Sequence, residues 1–110
     1  MKFYAYSQNN SGGIDVETAF VNRLVIIEAP TAEDANTKAL SVGLYFNGCR
    51  DGRDCNCCGD RWGEADSHDG DDVPTHYGDP INLTEVWKDY NTIIYYANGD
   101  IKRVHNGSRW

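Results

Sequence analysis

The chain has 110 residues, with 17 Asp and Glu against 10 Lys and Arg, for a formal net charge of −7. That length suits one domain with a single modest core, and the acidic balance argues against general nucleic-acid binding, which needs a basic surface to displace counterions. No apolar run approaches a membrane span, and the opening MKFYAYSQNN has no apolar leader core or cleavage site, so a cytoplasmic protein is expected.

The first predicted element is a strand over KFYAYS (2–7), whose alternation puts Phe3 and Ala5 on one face and Tyr4 and Tyr6 on the other. SQNNSGG then breaks it with turn-forming residues. AFVNRLVIIEA (19–29) is the strongest strand, and its run Leu24 to Ile27 suggests a central position covered on both faces. Helix signals follow at once. Thr31 is placed as N-cap, with Asp34 three residues on. Ala32, Ala35, Ala39 and Val42 form a slim apolar stripe, and Gly43 is the expected stop. LYF (44–46) reads as a short strand leading into a cysteine segment.

From 47 to 80 no period of either kind is present, so a long irregular loop rich in Cys and Asp is expected inside the single domain 1–110. It carries nine acids against three bases (Arg50, Arg53 and Arg61), which is nearly all of the net charge. INLTEVWKDYN (81–91) is ambiguous between strand and helical turn. NTIIYYANGDIKRVHNG reads as a hairpin turning at Asn98-Gly99. A two-residue turn there sets Tyr96 opposite Ile101 and Ile93 opposite Val104. The expected fold is α+β: a small antiparallel sheet of about four strands, with one helix packed on it.

The segments MKFYAYSQNNSGG (1–13) and LYFNGCRDGRDCNCCGDRW (44–62) together resemble a group of short tailed-bacteriophage proteins without an assigned activity. The resemblance implies a phage origin and action in the cytoplasm of the bacterial host. It carries over no catalytic or binding residue. Small non-structural phage proteins of this kind often antagonise host defence.

All four cysteines, Cys49, Cys55, Cys57 and Cys58, fall within ten positions. In a reducing compartment such a cluster points first to metal or reduced thiols. Structural zinc on the four thiolates is the leading reading, although their spacing is not that of two C-x2-C knuckles. A local disulfide and plainly packed thiols fit the same residues. A thiol nucleophile with His68 or His76 as base has no motif to fix it, so no catalytic residue is assigned. DSHDGDD lacks the spacing of a calcium loop and reads as a solvated acidic loop.

If the SQNNSGG stretch meets the cysteine segment, a polar and aromatic pocket follows. Its candidate ligand-binding residues are Asn9, Asn10, Ser11, Gly12, Arg53, Arg61 and Trp62. Arginine gives bidentate contacts to phosphate, and tryptophan stacks on a base. Pairing of Arg53 and Arg61 with Asp51, Asp54 and Asp60 accounts for the same residues without a ligand. The expected function is non-catalytic: sequestration of a small nucleotide-type signal in the service of anti-defence. The alternatives are inhibition of a host protein through the acidic loop and an aromatic patch (Tyr95, Tyr96, Trp87, Trp110), or a thiol- or metal-dependent enzyme. A homo-oligomer is compatible with either binding reading.

Overall fold

The computed structural model describes residues 1–9, 16–54, 56–76, 79–81 and 90–105. The fold is α+β. Strands β1 (Lys2–Ser7), β2 (Leu24–Ala29), β5 (Thr92–Tyr95) and β6 (Ile101–Val104) form one sheet in the order β1-β2-β5-β6. Helix α1 (Ala32–Val42) follows β2, and β3 (Thr75–His76) pairs with β4 (Asp79–Pro80) in a separate two-stranded ribbon.

Alternation sorts the sheet residues into two layers. Tyr4, Tyr6, Val25, Ile27, Ile93 and Tyr95 share one core with Ala32, Ala35 and Ala39 of α1. Leu24, Ile26, Ile94 and Val104 form a second core on the opposite face, joined by Ile81. β2 and β5 are thus buried on both faces, which is the condition under which a parallel pair is stable. They do run parallel, with Val25 beside Ile93 and Ile27 beside Tyr95. The sheet is therefore mixed, where an all-antiparallel one was expected. A parallel return needs a crossover, and α1 with the long segment after it supplies one.

The helix ends match their sequence signals. Thr31 Oγ1 accepts from the Asp34 N–H at 3.1 Å. Gly43 closes the helix at φ 115°, a left-handed conformation, and its N–H reaches the carbonyls of Ala39 and Leu40. The small alanines bring α1 close onto the sheet.

The hairpin differs by one residue from the expected register. Tyr95 faces Ile101 and Thr92 faces Val104. The Tyr96 N–H donates to the Asp100 carbonyl, and Gly99 N–H donates to the Tyr96 carbonyl. Gly99 has φ 97°, while Asn98 is not among the positive-φ residues. A two-residue turn would need positive φ at both; one left-handed glycine gives the three-residue loop instead. Tyr95 is accordingly buried and Tyr96 half-buried, so these tyrosines serve the cores. Trp87 and Trp110 lie outside the described residues.

LYF forms no strand; Leu44 is buried in the helix-side core, and Tyr45 and Phe46 pack against it. Residues 70–72, at the end of the acidic stretch, lie along the outer edge of β1. Phe3 and Asp71 form an isolated antiparallel bridge. Gly70 makes the approach possible, since a Cβ there would lie 2.8 Å from Lys2 Cβ. Lys2 Nζ meets Asp72 Oδ1 at 2.5 Å. Among the described residues no helix is long and apolar enough to cross a membrane.

Candidate functional site

The end of β1 and the cysteine segment meet. Asn9 donates its main-chain N–H to the Arg61 carbonyl at 2.9 Å. Its side-chain amide donates to the Cys58 carbonyl at 2.9 Å and to the Asp60 carbonyl at 3.1 Å. A single asparagine, continuing the line of a strand, thereby fixes the exit of the cysteine loop. Gly59, at φ 84°, lies against it: a Cβ there would sit 3.4 Å from Asn9 Nδ2.

The loop itself turns tightly. Asn47 takes a left-handed φ of 57°, which asparagine tolerates better than most residues. The Gly48 carbonyl then accepts from both the Arg53 N–H (2.8 Å) and the Asp54 N–H (3.0 Å). Asp54 is the hub. Its carboxylate accepts from Tyr45 Oη–H at 2.7 Å and from the Arg61 N–H at 2.8 Å. Arg61 Nε lies 4.0 Å from the same carboxylate, and the Asp54 side chain is only 6% exposed. Burial, followed by the hydrogen bond to Asp54, raises the Tyr45 hydroxyl above its ordinary range, so it stays a donor.

Arg61 reaches across to the residue that follows β1. Its Nη1 donates to Gln8 Oε1 at 2.7 Å. Gln8 is buried and also accepts from Val16 N–H and donates to the Val16 carbonyl, tying 16–22 to the same junction. Asp60 Oδ1 accepts from the Cys49 N–H at 2.9 Å. That main-chain bond holds the Asp60 carboxyl below its ordinary range. A depressed carboxyl stabilises the fold above its unfolded value and ceases to do so as pH falls through its folded value. The Cys49 amide resonance is therefore expected to titrate with a midpoint below about 3.9, the value for a free aspartate. A midpoint at or above it, followed by NMR, would contradict this contact.

The family model described as "Domain of unknown function (DUF7296)" matches residues 1–109. The chain belongs to this family. The comparisons with curated proteins and with solved structures each find no match. The DUF7296 match spans β1, the cysteine segment and the hairpin alike, so the Asn9 junction lies within one family unit.

Within this DUF7296 chain the predicted pocket residues divide. Asn9 and Arg61 come together, as the sequence led us to expect, but both are engaged in holding the loop. Arg53 is exposed, and its guanidinium carbon lies 3.9 Å from the centroid of the Tyr45 ring. Trp62 is 1% exposed and belongs to the core beside Tyr4, Tyr6 and Leu44. Its indole face is not on the surface, so the expected stacking role does not fit it. Asn10, Ser11 and Gly12 lie outside the described residues.

The metal candidates divide as well. Cys57 is exposed, Cys49 and Cys58 are half-buried, and Cys55 lies outside the described residues. The Sγ atoms of Cys57 and Cys58 are 3.8 Å apart, a contact rather than a bond. Among the described residues no group of three or more His, Cys, Asp or Glu converges as a metal site. His76 is buried in β3, and His68 is exposed with its N–H on Asp66.

Gln8, Tyr45, Gly48 and Asp54 make the junction, and the sequence pattern does not single them out. Asn47-Gly48 is a turn signal in hindsight. Nothing in the order of residues marks Asp54 among nine acids as the buried one.

Proposed function

We propose that the chain is a non-catalytic accessory protein of phage origin that counteracts bacterial host defence by binding and sequestering a small nucleotide-type signal in the host cytoplasm. One observation carries this reading. Asn9 is knitted to Cys58, Asp60 and Arg61, which sets the start of the polar 9–12 stretch against the loop that presents Arg53. The Arg53 guanidinium rests on the Tyr45 ring, so less side-chain freedom is lost when it clamps a phosphate. Tyr45 and Arg53 together take the stacking role first assigned to Trp62. Arg61 and Asp54 act behind them as positioning residues.

Native mass spectrometry of the protein from infected cells tests the reading. The expected result is a small nucleotide-type molecule that copurifies and is returned intact after heat denaturation. Arg53→Ala should lower its retention by about tenfold, the loss of one charge-assisted bidentate contact, without unfolding the chain. Unchanged retention by that variant would remove the proposed surface. Release of an altered molecule would favour an enzyme, and a stoichiometric host protein in its place would favour the inhibitor alternative. Zinc on Cys49, Cys55, Cys57 and Cys58 would add its mass in the same spectrum, and metal-free protein would eliminate that reading.

A further inference from the structure

Strand β1 is an edge of the main sheet, and its outward main-chain groups are accounted for at both ends but not in the middle. Phe3 gives its N–H to the Asp71 carbonyl at 2.8 Å and accepts the Asp71 N–H at 3.0 Å. The odd-numbered residues of β1 therefore direct their main-chain groups away from β2. Asn9 keeps this parity, since its N–H reaches the Arg61 carbonyl at 2.9 Å. Gln8, of opposite parity, turns its N–H to Arg23 at 2.8 Å, continuing the line of β2. Between the two clamps Ala5 and Ser7 face outward, and their main-chain groups meet no hydrogen-bonding partner among the described residues.

These groups open onto a cleft of about 360 Å³. One wall is the segment Gly63–Ala65. It is held off β1 by Asn36 of α1, whose side chain donates to the Ala65 carbonyl at 2.9 Å and accepts the Ala65 N–H at 2.9 Å. Asn36 also accepts from Tyr6 Oη–H at 2.7 Å, so the wall and the strand share one anchor. At Gly63 a Cβ would meet nothing within 4 Å, which keeps the cleft wide at that point. The other side carries Asp69 and Asp71. Glu64, Asp69 and Asp71 all line the cleft, and among the described residues no lysine, arginine or histidine does. Asp71 accepts from Thr75 Oγ1–H and Asp69 from the Asp66 N–H, while Glu64 is exposed.

We propose that this cleft is a docking site for an extended, lysine- or arginine-bearing peptide segment of a partner protein, which adds to the β1 edge between Phe3 and Asn9. The two outward residues offer two donors and two acceptors, enough to pair three or four peptide residues at about 3.3 Å each. Main-chain pairing supplies affinity, and the three carboxylates select a basic side chain beside it. The site lies apart from Arg53 and Tyr45 and stands whether or not an anionic ligand binds there.

The probe is a capped peptide of alternating lysine and valine, added to the full chain at low salt. On saturation, amide exchange at Ala5 and Ser7 should slow by about tenfold or more. Glu64→Lys, at an exposed side chain, should weaken binding by about tenfold, whereas Arg53→Ala should leave it unchanged. A peptide N-methylated at alternate residues should also lose about tenfold, because it cannot pair with the strand. Equal binding of the methylated peptide, or full displacement by spermidine, would mean that charge alone is recognised and would overturn the proposal. So would no binding, or protection of Ala5 and Ser7 by self-association of the chain without peptide.

Discussion

Trp62→Ala is expected to destabilise the fold by about 3–5 kcal/mol, the usual cost of removing a large aromatic side chain from a packed core. Trp62 is 1% exposed and belongs to the same buried cluster as the β1 tyrosines and Leu44. A loss of that size is a large share of the roughly 5–15 kcal/mol that holds a domain together. Urea unfolding of the purified variant measures it, and a midpoint within error of the parent would show that Trp62 is not core. Trp62→Phe separates packing from ligand contact. The indole Nε1–H finds no acceptor among the described residues, so phenylalanine removes a buried unpaired donor along with some volume. The two effects oppose, leaving the variant within about 1.5 kcal/mol of the parent. Ligand retention by Trp62→Phe should equal that of the parent. Lost retention with an intact fold would mean that the indole reaches the ligand after all.

Trp62 also shows where sequence reasoning stopped. Features set by neighbours along the chain were legible. Thr31 and Gly43 bound the helix as expected because a cap is a local hydrogen-bond problem. Leu24 to Ile27 were recognisably central because four apolar residues in a row need cover on both faces. The hairpin was legible as a turn but not in its register, which depends on whether one or two residues take positive φ at Asn98-Gly99. Strand direction was not legible, since alternation is the same for parallel and antiparallel neighbours. The meeting of Asn9 with the cysteine segment was anticipated, yet the roles within it were not. An arginine, an aspartate and a tryptophan next to one another look equally like a pocket and like a brace. Only distance decides, and here Arg61 turns to Gln8 while Trp62 turns to the core.

The brace makes Gly48 as sensitive as any residue outside the core. A Cβ at this position would lie 1.9 Å from Asp54 Oδ2 and 2.5 Å from Asp54 Cγ, far inside contact distance. A side chain can often swing away from such a clash. Asp54 cannot do so cheaply, because Oδ1 accepts from Tyr45, Oδ2 accepts from the Arg61 N–H, and its own N–H is bound to the Gly48 carbonyl. Expelling the carboxylate leaves those donors unpaired at about 1–3 kcal/mol each and separates Arg61 from its buried counter-charge. Gly48→Ala is therefore expected to cost about 3–5 kcal/mol, comparable to breaking a buried ion pair. Asp54→Ala should cost a similar amount, for it removes the same acceptor. The decisive measurement is the double variant. With Asp54 already truncated, the added methyl meets chiefly the edge of the Tyr45 ring, at 2.8 Å from Cε2, and that ring has then lost the acceptor that held its hydroxyl. Gly48→Ala in that background should cost less than about half of what it costs alone, giving a strongly non-additive cycle. Additive losses by urea unfolding would mean that the two residues act independently and that Asp54 is not the hub of the loop. Because Arg53 leaves the same turn through its N–H on the Gly48 carbonyl, Gly48→Ala should also loosen the Arg53–Tyr45 stack and weaken ligand retention even where the remainder of the fold survives.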